Sequence, residues 1–431
     1  MKTLFKTAVT KILTAEAKLL LKKAQPTIVA ITGSVAKTST KDAIYTVLRT
    51  KHHARKSIQS YNSELGVPLA VLGLESGWQN PFVWLKNCVE GLLTALSPKD
   101  YPKILVLEIG VDRPGDMERL TSWIHPDVVV LTHLPDVPSH IEFFDSDPEA
   151  ITKEKMKLVH ALKPEGTLVY NQDDARVEKS AEDTLQKSIA YSRYSPSAFQ
   201  GKGEEVQYAD GRPVGTSFTL LHADKEEEIT IKDSLGVQHV YNCAAAVAVG
   251  SLFDIDTKTA AEALSSGCVP PPGRMRLIRG EKETMIIDDT INASPLSMQN
   301  ALRTLKQVTG VKRRIAVLGD MLELGRESAG AHQAVGKAVV ESADMLFTIG
   351  IRARGIAEGA LANGMSPKNI LQYETTERAG RELEEMLEAG DIILIKGSQK
   401  MRMERIVEEV MAEPQNAREL LVRQNPEWKD V

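Results

Sequence analysis

The sequence is poor in the features that would take it out of a reducing, aqueous compartment. Its three cysteines, Cys88, Cys243 and Cys268, are far apart and odd in number, which excludes a disulfide framework and suggests no zinc site. No apolar run approaches the ~20 residues of a membrane span. Positive charge is not in excess: 53 Lys and Arg against 58 Asp and Glu leave a net charge of −5. With no basic stripe interleaved with aromatics, a nucleic-acid partner is not expected. Internal repeats and low-complexity segments are absent. A cytoplasmic globular protein is expected, 42% hydrophobic and 26% charged, as soluble domains are. At 431 residues it is too long for one ordinary core, so two or three domains are expected.

Residues 1–25 stand apart. Lys2, Lys6, Lys11, Lys18, Lys22 and Lys23 face one acid, Glu16, while Leu4, Phe5, Ala8, Val9, Ile12, Leu13, Leu19 and Leu20 fall near helical spacing. The lysines interrupt the segment too often for a signal peptide. An amphipathic helix packed on its own domain is expected, with contact to an anionic membrane surface as the alternative.

The organising stretch follows. Ile28-Val29-Ala30-Ile31 reads as a buried strand, Thr32-Gly33-Ser34-Val35-Ala36 as a small-residue loop, and Lys37-Thr38-Ser39 as the opening of a helix through Ala43, Ile44, Val47 and Leu48. Phosphate binding needs this order. Small residues let backbone N–H groups approach phosphate oxygens, the helix turns its positive end toward them, Lys37 adds a mobile cation, and the Thr38 hydroxyl can ligate Mg²⁺. The spacing is shorter than in the general P-loop, and Ala36 stands where glycine is usual. If that position needs φ > 0, alanine costs about 1 kcal/mol or more. The plain alternative is a strand–turn–helix corner with a polar cap.

Further strands are expected at 104–110, 128–132 and 167–171, with a helix at 148–162 and a long loop at 133–146. Tyr61 to Pro68 reads as a corner into a helix, whereas 75–102 resists assignment. Strand–helix alternation of this kind gives a doubly wound parallel sheet, whose ligands bind at the strands' carboxyl ends. Glu108, ending an all-apolar strand, is expensive to bury unless paired or metal-bound, and is a magnesium-ligand candidate. His140 and Asn171 fall at the same end. Residues 206–231 read as short antiparallel strands at the sheet edge, followed by helices at 240–253 and 257–266. The run Val269-Pro270-Pro271-Pro272-Gly273-Arg274 is a linker. Beyond it, strands are expected at 284–288, 314–318, 345–349, 370–373 and 391–395, forming a smaller Rossmann-like α/β domain. The expected organisation is thus a helix over 1–25, an ATP-binding domain over 26–271 and an α/β domain over 272–431.

In sequence order, these motifs resemble the Mur ligases, and among them the branch that adds D-alanyl-D-alanine to a peptidoglycan precursor. Gly33, Ser34, Val35, Ala36, Lys37, Thr38 and Ser39 are similar to the short Mur P-loop. Asn62-Ser63-Glu64-Leu65-Gly66-Val67-Pro68 and Glu108-Ile109-Gly110 match further family stretches. So do Ser139-His140-Ile141-Glu142-Phe143-Phe144, Asp288-Asp289-Thr290-Ile291-Asn292-Ala293-Ser294-Pro295, the stretch Val317 to Gly325 with His332, and Lys396-Gly397-Ser398 with Met401 to Glu404. The resemblance implies nucleotide contacts from the P-loop, Asn242, Arg274 and Asp289. It implies one Mg²⁺ on Thr38 and Glu108, and a second on His140 and a carbamylated Lys155. Lys37, Lys155 and His140 are then the catalytic set, and Asn292, Ser294 and Lys396 lie toward substrate.

The implied reaction is ATP-dependent amide formation: a carboxylate attacks the γ-phosphate, and an amine displaces phosphate from the acyl phosphate. The implied partners are a small cell-wall precursor and an amine-donor dipeptide. There are departures. Gly236-Val237-Gln238-His239 replaces the family's Gly-x-His-Asn, and the UDP-sugar-gripping first domain is expected to be missing, since about 25 residues precede the P-loop strand. Two alternatives remain open here: a folylpolyglutamate synthetase-like ligase on a carboxylate without UDP, and a nucleotide-binding regulator without turnover.

Overall fold

The computed structural model describes residues 2–58, 61–425 and 428, the first three of these by backbone alone. Two sheets organise the chain. The first contains β1 (Thr27–Thr32), β2 (Ala54–Lys56), β3 (Ile104–Glu108), β4 (Val128–Leu131), β5 (Thr167–Asn171), β6 (Lys187–Ser192), β7 (Phe199–Ala209), β8 (Arg212–His222) and β9 (Lys225–Lys232). Their order is β2-β3-β1-β4-β5-β6-β7-β8-β9. Pairing is parallel as far as β7 and antiparallel from β7 to β9.

Strands β1, β3 and β4 are apolar almost throughout because both faces are covered. On one face pack α1 (Lys2–Ala24), α3 (Gly66–Leu72), α4 (Pro81–Leu96), α5 (Asp116–Thr121), α6 (Pro148–His160) and α7 (Ala175–Glu182). On the other lie α2 (Lys37–Leu48), the Ala- and Val-rich α8 (Gln238–Ser251) and α9 (Thr257–Gly267). Helix α1 packs against α3 and α4, burying Val9, Leu13, Ala17 and Leu20. The inward residues recur at three- and four-residue spacing, which leaves the lysines outside.

The second sheet runs β10-β11-β15-β12-β13-β14, from β10 (Arg276–Arg279), β11 (Met285–Asp289), β12 (Arg314–Gly319), β13 (Met345–Ile349), β14 (Ile370–Tyr373) and β15 (Ile392–Lys396). All its pairs are parallel except β10–β11.

Several features differ from the sequence expectation. Strands β7 and β8 are long, at 11 residues each. A two-residue turn joins them at Asp210-Gly211, both with positive φ (50° and 75°), and its twist suits a tight hairpin. Strands β2, β6 and β10 have mixed or half-exposed patterns and were not anticipated, and α4 fills the stretch that resisted assignment. The two sheet units are stitched together around the proline run. Leu235 N donates to Met275 O and Leu277 N to Asp233 O, while the Leu235 side chain joins the second core. The β7–β8 ribbon reaches the same unit: Thr309 N donates to Tyr208 Oη over 2.8 Å, and Arg212 pairs with Glu283.

Candidate active site

The site grows from the corner between β1 and α2. Gly33 has φ 138°, and a Cβ there would meet Thr132 Oγ1 at 2.0 Å, so glycine is required. The loop is braced from β4: Ser34 N donates to His133 O, and Thr132 Oγ1 to Val35 O, each over 2.8 Å. Ala36 sits at φ 66°, ψ 4°, and no side chain caps the helix it introduces. With no side-chain cap from Ala36, the positive end of α2 opens onto the loop. Thr32 Oγ1 and Ser34 Oγ are buried there with no hydrogen-bond partner. Buried polar atoms are normally satisfied, so this corner is suited to a ligand rich in acceptor oxygens.

Beside the loop, β3 runs parallel to β1 with Glu108 opposite Ile31. Glu108 is 2% exposed and fully engaged. Thr38 Oγ1 donates to Oε2 over 2.7 Å, Asn62 Nδ2 to Oε1 over 3.0 Å, and Ser57 Oγ accepts from Glu108 N. The proline run brings Arg274 to the same point, where a guanidinium N–H donates to Thr38 Oγ1 over 2.9 Å. A hydroxyl and a carboxylate side by side at a phosphate-type loop suit Mg²⁺, which takes one or two protein oxygens and completes its shell with phosphate and water. Among the described residues no three His, Cys, Asp or Glu converge as a metal cage, so this donor set fits an ion that arrives with its phosphates.

Two lysines flank the loop. Lys37 has its ammonium pKa lowered, first by burial and then by Arg274, with Glu108 and Asp112 opposing. Lys155, on α6, is buried and donates to Gly33 O over 3.1 Å. Burial first, then the Lys37 charge, holds its pKa well below the ordinary lysine value, against Asp112 and Glu154. A lysine of this kind spends more of its time as the neutral, nucleophilic amine. His140, in the left-handed region at φ 68°, lies between two carboxylates. Its Nε2 is 3.6 Å from Asp112 Oδ1, and its Nδ1 is 2.5 Å from Glu323 Oε2 of the second unit. Asp112 thus stands near His140 and adds negative charge to the surroundings of Lys37 and Lys155.

Across the boundary, Lys396 Nζ pairs with Asp289 Oδ2 over 2.7 Å and donates to Asn292 O over 2.8 Å. Asp288 is buried and accepts from Gly273 N and from Thr290, with its carboxyl pushed up to about 6 chiefly by burial. Asn292 is exposed. Ser294 caps the helix α10 (Pro295–Gln307) through a reciprocal arrangement with Ser297. Asn242 stands one step away from the phosphate corner: its Oδ1 accepts from Thr40 Oγ1 over 2.9 Å, and its buried Nδ2 has no partner. In the departing stretch, Gln238 and His239 make local bonds to Leu235 O and Ser234 Oγ, and burial lowers His239 to about 4.

Sequence reasoning missed Asp112 and Glu323 as members of the site. Each lies in a loop, where no hydrophobic period marks a polar residue, although Asp112 follows Glu108-Ile109-Gly110 by two positions. Asn62 and Glu323 lie within stretches that resemble the family, but neither the bond of Asn62 to Glu108 nor the approach of Glu323 to His140 has a sequence signal.

Comparison with known proteins adds an independent line. Residues 85–250 match the Mur ligase middle domain, and residues 273–399 match the Mur ligase, glutamate ligase domain. The chain is 30% identical over 401 residues to the UDP-N-acetylmuramoyl-tripeptide–D-alanyl-D-alanine ligase of Bacillus subtilis, spanning 92% of this chain and 79% of that protein. The enzyme of that name from Mycobacterium tuberculosis is 28% identical, covering 90% and 73%. Among solved structures, a MurF ligase from Thermotoga maritima in complex with ADP superposes with a TM-score of 0.75 at 25% identity, covering 93% of this chain and 83% of that one. A folylpolyglutamate synthase from Mycobacterium tuberculosis shares the fold, with a TM-score of 0.63 at 15% identity over 92% and 95%.

Proposed function

The chain belongs to the Mur ligase family, and from that premise we propose that its phosphate corner and the Lys396–Asp289 pair together join D-alanyl-D-alanine to the peptide of a UDP-MurNAc-tripeptide precursor. The protein is an ATP-dependent carboxylate–amine ligase. The folylpolyglutamate-type reading is not favoured, because the relatives at 28–30% identity carry the cell-wall ligase name and the synthase neighbour shares the fold alone.

The observation that carries the residue assignment is the uncapped start of α2 beside Lys37, Thr38 and Glu108. In this reading the first-turn amides and Lys37 hold the β- and γ-phosphates, and Arg274 brings a further positive charge to the same oxygens. Thr38 and Glu108 hold Mg²⁺, which when bound offsets phosphate charge. The precursor carboxylate attacks the γ-phosphorus, the bond to the ADP oxygen breaks, and an acyl phosphate forms. The dipeptide amine then adds to the acyl carbon, loses a proton, and expels phosphate. The protein's part is largely positioning and charge complementarity. Asp289 is assigned to the ribose, and Lys396 with Asn292 and Ser294 to the substrate side. Asn242 is assigned to the adenine side, where its unpartnered Nδ2 could donate to a base.

A second Mg²⁺ is assigned to His140 and Lys155. Lys155 fits the modification this requires: a buried amine with a depressed pKa adds to CO₂, giving a carbamate and releasing one proton, and so becomes an oxygen donor. The proline run 270–272 is the hinge that brings Arg274 and Glu323 to the first unit.

The test is phosphate release with ATP and Mg²⁺, adding UDP-MurNAc-tripeptide and D-alanyl-D-alanine singly and together, with a parallel arm of folate and glutamate. Release requiring both cell-wall substrates, with the UDP-MurNAc-pentapeptide seen by mass, supports the proposal. Turnover in the folate arm alone overturns it.

A further inference from the structure

Helix α4 turns most of its apolar side chains outward. Trp84, Asn87, Gly91 and Ala95 are its buried residues, whereas Phe82, Leu85, Val89, Leu92, Leu93 and Leu96 are 45–80% exposed. These six recur at three- and four-residue spacing, so they form one stripe along a helix ~24 Å long. Scattered exposed leucines are ordinary, but a continuous stripe of this kind marks a surface that binds something.

The neighbouring helix indicates what it binds. Helix α1 lies against α4: a Cβ on Gly91 would meet Glu16 Oε2 at 2.3 Å, and Lys23 Nζ donates to Leu96 O over 3.0 Å. The exposed residues of α1 include Lys6, Lys11, Lys18, Lys22 and Lys23. Its acid, Glu16, is turned into the α1–α4 seam, and on α4 Glu90 is paired with Lys86. The region is therefore apolar and basic on a chain whose net charge is −5. A second copy on a two-fold axis would cover the stripe but would bring these lysines against one another. An anionic lipid surface satisfies both halves of the patch and repels the rest of the molecule. No described helix is long and apolar enough to cross a bilayer, which leaves a helix lying in the interface.

We propose that α1 and α4 dock this protein on the surface of a bilayer containing anionic lipid, with α4 parallel to the membrane plane and its outward stripe at the headgroup–acyl boundary. The reaction would then take place at the membrane surface.

The experiment is co-sedimentation of the full chain with vesicles of equimolar phosphatidylglycerol and phosphatidylcholine, and with vesicles of phosphatidylcholine alone, at low and high salt. Sizing of the protein by analytical ultracentrifugation accompanies it. The expected result is a monomer that partitions into the anionic vesicles and is released by salt. Leu85→Glu with Leu93→Glu, and separately Lys18→Glu with Lys22→Glu, should each weaken partitioning by about tenfold or more. All four positions are exposed, so circular dichroism should be unchanged, and in vesicle-free buffer turnover should be unchanged. Absence of partitioning by the parent protein overturns the proposal. So does partitioning indifferent to the lysine reversals, or a dimer that Leu93→Glu dissociates, which would assign the stripe to a second copy. None of these outcomes depends on which substrates the ligase accepts.

Discussion

His140 Nδ1 lies 2.5 Å from Glu323 Oε2, so a carboxylate of the second sheet unit stands against an imidazole of the first. Glu323 occupies a left-handed backbone position at φ 63°, and its carbonyl accepts from Glu142 N over 3.4 Å, next to His140. If His140 serves the reacting phosphate, Glu323 sets its orientation only when the two units are together. Replacing Glu323 by Gln should lower kcat by roughly 10–100-fold, the usual cost of losing an orienting partner. ADP affinity, governed by the P-loop, should stay within about twofold in a titration that follows binding alone. An equal loss of both would assign Glu323 to nucleotide binding instead.

Ala36 tests the economy of the loop. Its φ of 66° costs an L-residue about 1–2 kcal/mol. Glycine would relieve that strain but give the unfolded chain more freedom, returning about 0.4–1 kcal/mol. Ala36→Gly should therefore leave the unfolding free energy within about 1 kcal/mol of the parent, whereas Ala36→Val, β-branched in the same region, should lose about 2 kcal/mol or more. Denaturant unfolding decides between them. An unharmed valine variant would mean that the loop adopts another conformation in solution.

The same stretch explains what could be read from sequence and what could not. The buried strands around 28–31, 104–108, 128–131 and 167–171 are β-branched or leucine runs covered on both faces, a pattern that survives without tertiary knowledge. Strand β6, Lys187-Ser-Ile-Ala-Tyr-Ser192, is exposed at its start and buried at its end, so neither period shows. Helix α4 defeated assignment because its apolar residues occur on both its buried and its outward sides, which erases the contrast that marks an amphipathic helix. At the site, Lys37, Thr38 and Glu108 were legible because strand ends and a glycine loop frame them. Asp112 and Glu323 become neighbours of His140 through tertiary placement alone.

Glu16 predicts a pH dependence of stability. Glu16 is 8% exposed as a residue, with Oε2 buried and unpartnered against α4, and burial raises its pKa from 4.5 to about 7. The folded state therefore keeps this proton to a higher pH than the unfolded chain does. Stability from this group is complete below about 4.5, declines as pH rises, and is gone above about 7. Glu16→Gln cannot ionise. It should be more stable than the parent by about 2 kcal/mol at pH 8, with the difference shrinking toward zero at pH 4, measured by urea unfolding. A gain independent of pH would show that Glu16 is already neutral, or already solvated, across the range.

Lys155 offers the most direct test of the second metal assignment. Its ammonium is disfavoured by burial and by Lys37, yet its hydrogen bond to Gly33 O at 3.1 Å gives it a structural role that a merely buried lysine would also have. The two roles separate on substitution. Lys155→Arg keeps a cation that can bond Gly33 O but cannot take up CO₂, and Lys155→Ala removes both. If the side chain works as a carbamate, both variants should lose ligase turnover by about a thousandfold or more, a loss comparable to that of removing a principal catalytic group. The parent treated with ¹³C-bicarbonate should show a carbamate carbon resonance that both variants lack. If Lys155 acts as a cation bracing the loop, Lys155→Arg should retain most activity and the parent should show no such resonance. The NMR arm reads the modification without turnover, so it distinguishes a failed carbamate from a loop that has merely lost its brace.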